Sequence, residues 1–318
     1  MSELLPVPYF HVVFTLPHEL NPWIKSDPKQ LIGLLFQSAK DTLLEFARDP
    51  KHLGATPGIL MVLHTWGQKL NQHYHVHCIV TGGGLDEARQ WRATRSDYLF
   101  PVEAMMPVFR GIYLERLSSL LGRKKLEFIP DRLTKVIRKL YNKKWVVYAK
   151  EPFGGPERVL KYLGRYTHRV AIANSRILRF ANNMVTFTYK DYTDNHTEKT
   201  MTLPLEKFLC RFANHILPQG FMRIRGYGLW SNPRKKRDLT HCRFLLGDPE
   251  ISETALDEAI ASLEPDEGVI PRPEETSEGQ LICPHCQEGI LYPLDELMPG
   301  VCDALQLLVQ APELQDTS

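Results

Sequence analysis

The 318-residue chain is short of cysteine, with only six, and only Cys283 and Cys286 form a CxxC pair. A chain of this length buries enough surface to fold without covalent staples, so reduced thiols are expected and a disulfide framework is excluded. No apolar run reaches the roughly 18 residues of a membrane span, and Met1-Ser2-Glu3-Leu4 lacks the basic-then-apolar opening of a secretory signal. A cytoplasmic protein with no membrane partner is therefore expected. A phosphate-binding lysine loop is also missing, and Gly82-Gly83-Gly84 does not have the G-x-G-x-x-G spacing, so no nucleotide cofactor is expected. Basic residues are nearly absent from one stretch. Residues 251–318 hold 15 Asp and Glu against one base, Arg272, a net charge of −14. The preceding residues then carry 38 Lys and Arg against 22 Asp and Glu, a net of +16.

A body so charged attracts polyanions. Its clusters are Arg123-Lys124-Lys125, Arg138-Lys139 with Lys143-Lys144, and Arg234-Lys235-Lys236-Arg237. Around them the periodicities predict an α+β protein with a central antiparallel sheet flanked by helices. Residues 8–17 read as an aromatic and β-branched strand stopped by proline, and 28–48 as a helix with Leu31, Leu34, Leu35, Ala39, Leu43 and Phe46 on one face. Strands over 58–66 and 74–81 are close enough in sequence to pair antiparallel, the second ending at the three glycines. Helices are expected over 100–121, 129–141, 156–167 and 205–216, and a short strand over 145–149. Asn182-Asn183 between two apolar runs signals a hairpin.

The chemistry concentrates in two places. In His73-Tyr74-His75-Val76-His77-Cys78-Ile79-Val80, the two-residue strand period puts His75 and His77 on one face, where two neutral imidazoles can hold a divalent metal. A further ligand is needed. His64 is the first choice because its strand should lie beside theirs; Gln68 and His73 are the alternatives. The second place is Tyr162 and Tyr166, four apart on a predicted helix and flanked by Lys161, Arg165 and Arg169. A phenol is a poor nucleophile at neutral pH unless a cation or metal favours its phenolate. Tyr189 and Tyr192, three apart on a strand, would face opposite ways and make poor twin nucleophiles.

His75-Val76-His77 resembles the HUH motif, in which U is hydrophobic, and Tyr162-Leu163-Gly164-Arg165-Tyr166 resembles the paired tyrosines of rolling-circle nucleases. These strings, with Val62-Leu63-His64-Thr65-Trp66-Gly67-Gln68, Pro152-Phe153-Gly154-Gly155-Pro156 and Tyr189-Lys190-Asp191-Tyr192, resemble the two-tyrosine transposases of the insertion-sequence ninety-one family from about residue 8 to 247. The resemblance implies an HUH endonuclease-like fold that cuts and rejoins single-stranded DNA at transposon ends and target, through a 5′-phosphotyrosine link in rolling-circle-type transposition. It also implies Mg2+ or Mn2+ as cofactor. Lys161, Arg165, Arg169, Arg234, Lys235, Lys236 and Arg237 would then hold the DNA backbone, with Trp66, Tyr227 and Trp230 as stacking candidates.

Such a chain divides into a nuclease domain over 1–247, an acidic linker over 248–280 and a small segment over 281–318. Family members commonly carry a cysteine-rich zinc-binding module ahead of the nuclease, whereas this chain starts at the first nuclease strand. Cys283 and Cys286 are the candidates for a structural Zn2+, although a zinc ribbon uses two such pairs. A replication-initiator nuclease would share the HUH site, a decayed DNA-binding relative would keep only the basic body, and a metal-dependent hydrolase would leave that body without a role.

Overall fold

The computed structural model describes residues 4–94, 99–122, 133–153, 171–192, 194–231, 234–249, 251, 254, 281–282 and 290–291. The elements in the described residues are β1 (Tyr9–Thr15), α1 (Asn21–Ser26), α2 (Pro28–Arg48), β2 (Thr56–Trp66), β3 (Gln72–Leu85), β4 (Trp91–Ala93), α3 (Val102–Gly122), α4 (Leu133–Tyr141), β5 (Val146–Phe153), β6 (Ile177–Ala181), β7 (Met184–Asp191), β8 (Thr197–Pro204), α5 (Leu205–Ala213), β9 (Ile224–Gly228) and α6 (Lys235–Leu245). The chain divides into compact units over 1–264 and 265–318. In the second, β10 (Leu281–Ile282) pairs antiparallel with β11 (Ile290–Leu291).

The first unit is built on an antiparallel sheet in the order β5-β1-β3-β2-β9, with β4 added to β3. It is the expected α+β architecture. Alternation along the central strands sorts their side chains into two sets. Phe10, Val12, Phe14, Leu63, Val76, Cys78 and Val80 join α2 and α3 residues such as Leu35, Phe36, Ala39, Phe109 and Tyr113 in the main core. Helix α2 starts where the sequence says it should. Asp27 accepts from the Gln30 amide at 3.1 Å, Pro28 occupies the first turn, and the helix ends at Arg48.

The other face carries His11, His75 and His77, and its far end is closed by a smaller core. There Tyr9 and Ile79 pack with Trp230, Leu239 and Cys242. Trp230 is 6% exposed and stacks on Tyr9 with ring centroids 6.1 Å apart, so this candidate for base stacking is a core residue instead. At the near end a second sheet, β6-β7-β8, packs over the β2–β3 loop through Leu70, Val185, Phe187, Leu203 and Phe208. Asn182 and Asn183 both have positive φ, 52° and 59°, as a two-residue turn between β6 and β7 requires.

Several boundaries differ from those the sequence predicts. The three glycines do not end β3, which runs on to Leu85. A side chain at Gly84 would collide with the backbone of Thr56 on β2, so glycine here permits close strand approach and does not mark a turn. No element is predicted over 221–237, which contains β9 and the start of α6. β8 was also not foreseen; its polar burial pattern, with only Leu203 buried, hides the strand period. The expected helix over 156–167 lies outside the described residues.

Gly228 and Gly220 offer a test of this packing. Both have positive φ, 61° and 73°, but a side chain at Gly228 would overlap the Pro57 carbonyl oxygen, whereas the space around Gly220 is open. Gly220→Ala should cost only the left-handed backbone penalty of about 1–2 kcal/mol, and Gly228→Ala distinctly more. Urea denaturation of the two variants measures the difference.

Candidate metal centre

The β2–β3 register builds the cluster. His64 stands directly opposite His75, and Val62 opposite His77, in the antiparallel ladder. Directly paired residues project to the same face, so His64 joins His75 and His77 although it comes from another strand. One potential ligand atom from each of the three lies within 4.8 Å of the others. Ring centroids are 4.3 Å apart for His64 and His77, 4.9 Å for His75 and His77, and 5.3 Å for His64 and His75. His64 and His77 are buried and His75 half-buried.

Hydrogen bonds constrain which nitrogens are available. His75 Nδ1 lies 2.8 Å from the His73 carbonyl oxygen, which can only accept, so His75 carries its proton on Nδ1 and keeps a lone pair on Nε2. His77 Nδ1 is bonded to His11 Nε2 at 2.9 Å. Burial, followed by the neighbouring imidazoles, pushes the pKa values of His75 and His77 well down. Burial with the nearby Lys150 charge takes His11 from the usual 6.5 to about 4. These rings are therefore neutral at physiological pH, the state in which imidazole ligates. Three imidazole side chains converging in this way could hold a divalent metal ion.

The other candidates fall around this cluster. His73 is exposed at its rim, with its ring 4.9 Å from that of His75. Gln68 is engaged in the seam with the second sheet, where its Nε2 donates to the Tyr192 hydroxyl and its Oε1 accepts from the Lys190 amide, each at 3.3 Å. Arg176 completes that seam by donating to the carbonyls of Gln68 at 2.6 Å and Thr188 at 2.8 Å. Between the sheets lies a cavity of about 570 Å³ lined by the three histidines, Trp66, Arg176, Tyr189, Lys190, Tyr192 and Glu198. Arg176 and Lys190 give it two cationic side chains that sequence reading missed, because only the docking of a sheet a hundred residues downstream brings them to the histidines.

Trp66 is half-buried, stacked on His64 at 4.6 Å with the Arg223 guanidinium 5.5 Å from its ring. Tyr227, the remaining stacking candidate, is half-buried on β9 opposite Ile59. In the basic cluster at the start of α6, Arg234 and Lys236 are exposed and Lys235 half-buried, while Arg237 is turned to Asp238, with Nε and Nη2 each 2.9 Å from its carboxylate. Tyr162, Tyr166, Lys161, Arg165 and Arg169 lie outside the described residues, as do Cys283 and Cys286. No helix among the described residues is long and apolar enough to cross a membrane.

The antiparallel α+β sheet thus brings three histidines that could hold a divalent metal to the wall of a cavity also lined by Arg176, Lys190 and Glu198. Residues 58–237, which contain the whole cluster, match the family described as "Putative transposase". The chain is 40% identical over 312 residues to "Putative transposase y4qJ" of Sinorhizobium fredii, covering 94% of this chain and 76% of that one. It is 32% identical over 242 residues to the transposase for insertion sequence element IS801 of Pseudomonas savastanoi pv. phaseolicola, covering 73% of this chain and 56% of that one. The chain belongs to this transposase family. Among solved structures, a metal-bound conjugative relaxase TrwC in complex with OriT DNA aligns over 75% of this chain and 72% of its own, with a TM-score of 0.28 and 11% identity. That overlap is too slight to define this chain's fold or chemistry.

Neutral buried imidazoles make the metal-free protein sensitive to acid. The unfolded chain binds protons near pH 6.5 that the folded rings refuse, so stability is complete above that range and declines as pH falls towards the depressed folded values. The decline is at most about 1.4 kcal/mol per pH unit for each titrating ring. The melting temperature of the metal-free protein should therefore drop between pH 7 and pH 5, and His77→Gln should flatten the slope.

Proposed function

We propose that this chain is a two-tyrosine HUH transposase of the insertion-sequence ninety-one type that nicks and rejoins single-stranded DNA in rolling-circle-type transposition. The observation that carries this reading is the convergence of His64, His75 and His77 on one sheet face in a chain of the transposase family. Its nuclease domain would span 1–247, with the acidic stretch over 248–280 as linker.

When bound, Mn2+ or Mg2+ would polarise a phosphate oxygen and offset charge in the transition state. The other parts of the reaction fall to the chain itself. His64, His75 and His77 hold the ion; Tyr162 or Tyr166 supplies a phenolate oxygen that attacks phosphorus. The P–O bond to the 3′-oxygen breaks, its electron pair stays on that oxygen, and a proton completes the free 3′-hydroxyl. The 5′-phosphate remains on tyrosine as a diester, which retains enough free energy for a 3′-hydroxyl to reverse the step on another strand. The second tyrosine allows one end to be held while the other is cut. No nucleotide hydrolysis is needed, in keeping with a sequence that lacks a phosphate-binding loop. Arg176 and Lys190 line the cavity beside the histidines, and the exposed Arg234 and Lys236 offer phosphate contacts farther along.

The test is incubation with labelled single-stranded oligonucleotides carrying transposon-end sequences, with manganese, followed by a denaturing gel. A covalent protein–DNA adduct is expected, and its absence with every such end sequence sinks the nuclease reading. Tyr162→Phe with Tyr166→Phe should remove the adduct; persistence in the double variant shows that another nucleophile acts, and Tyr189 and Tyr192 in the cavity would be next. His75→Ala with His77→Ala should slow cleavage by about 10²-fold or more, the loss of several kcal/mol of charge stabilisation; undiminished cleavage removes the metal assignment.

A further inference from the structure

His11 lies on β1 on the same sheet face as the cluster, two residues along from Val13, the direct ladder partner of His77. It is 7% exposed. Its ring is parallel to that of His77 within 2°, with centroids 5.1 Å apart and Nε2 2.9 Å from His77 Nδ1. Parallel rings so far apart with so short a nitrogen–nitrogen contact lie side by side, sharing a proton in the ring plane, where the nitrogen lone pair points.

One proton occupies that contact, and its owner decides what His77 can do. If His77 carries it on Nδ1 and donates to His11, its Nε2 has a free lone pair. If His11 donates instead, the proton of neutral His77 sits on Nε2 and blocks coordination there. His75 resolves the same ambiguity through the His73 carbonyl. His77 cannot use that route: it lies in mid-strand between β1 and β2, paired to Val13 and Val62, where carbonyls are committed to the ladder. An acceptor for its Nδ1 has to be a side chain, and a diagonal neighbour on the adjacent strand is within reach.

We propose that His11 is a positioning residue that accepts the Nδ1 proton of His77 and so presents the His77 Nε2 lone pair to a divalent cation. This rests on the metal site proposed above and adds to it a fourth histidine from a third strand. By holding both tautomer and ring angle, such a partner raises ligand basicity and limits the motion that binding must suppress. Three strands then contribute: β3 and β2 hold the ligands, and β1 sets the protonation pattern of one of them.

The test uses the full chain with Mn2+ alone as probe. Titration calorimetry of the wild type, His11→Phe and His11→Gln gives affinities, and long-range 15N NMR of the metal-free proteins reports the histidine tautomers. Phe keeps the ring volume without an acceptor, and Gln restores one. His11→Phe should weaken Mn2+ binding about 10- to 100-fold, with His11→Gln within about threefold of wild type. His77 should be protonated on Nδ1 in the wild type and lose that preference in His11→Phe, while His75 keeps its own tautomer in all three and reports an intact sheet. An Nε2-protonated His77 in the wild type overturns the proposal. So does unchanged Mn2+ affinity in His11→Phe, or a His11→Gln as weak as His11→Phe with the His75 signal unaltered. If the wild type takes up no Mn2+, the metal reading fails, and the tautomer measurement still decides the role of His11.

Discussion

The register of β2 on β3 is the constraint on which the candidate site depends. Because side chains alternate, a slip of one residue would turn His75 and His77 towards the helices and Tyr74, Val76 and Cys78 towards the cavity. Burial enforces the observed register: Tyr74, Val76, Cys78 and Val80 are all in the main core with α2 and α3. The apolar half of the strand thus positions the polar half. His64 is carried opposite His75 by the same ladder, and the three imidazoles meet without any loop having to bring them together. Sites built on paired strands keep their geometry when empty, which limits the reorganisation that binding requires.

Burial has a second effect here. Several imidazoles placed close together on an open surface would compete for protons with solvent, and a protonated ring cannot ligate. Partly enclosed by the second sheet and by one another, these rings resist protonation, and each hydrogen bond to Nδ1 then directs the remaining lone pair. The cavity wall opposite them comes from a different supersecondary unit. Arg176 clamps the β2–β3 loop to β7 through the Gln68 and Thr188 carbonyls, and Gln68, Lys190 and Tyr192 complete the seam. That clamp places the positive charge of Arg176 beside the histidine cluster, in keeping with the proposed phosphate-bearing substrate.

Where local pattern and tertiary demand agreed, the elements were legible. Helix α2 carries an acidic cap, a first-turn proline and a helical apolar stripe, and its observed limits are those predicted. The Asn182-Asn183 turn follows from backbone chemistry alone. Where the pattern served another purpose, reading failed. Three consecutive glycines ordinarily punctuate a strand, but here they let β3 pass close to β2 and pair with β4. Trp230 was a candidate for base stacking, yet it fills the small core against Tyr9. Arg237 counted as one of four cationic residues, while its partner Asp238 stands next to it and takes up its guanidinium.

From the sequence by itself came the α+β class, the shared face of His75 and His77, the expectation that His64 would lie beside them from strand proximity, and the basic body with its acidic continuation, because each depends on period, adjacency or composition. The tertiary structure alone decided that Gln68 belongs to the seam, that Arg176, Lys190 and Tyr192 line the cavity, and that His11 meets His77. Those contacts join residues 66 to more than 100 positions apart, and no periodicity within a segment encodes a distance between segments. They exist only once sheets have packed and the ladder has fixed which side chains share a face.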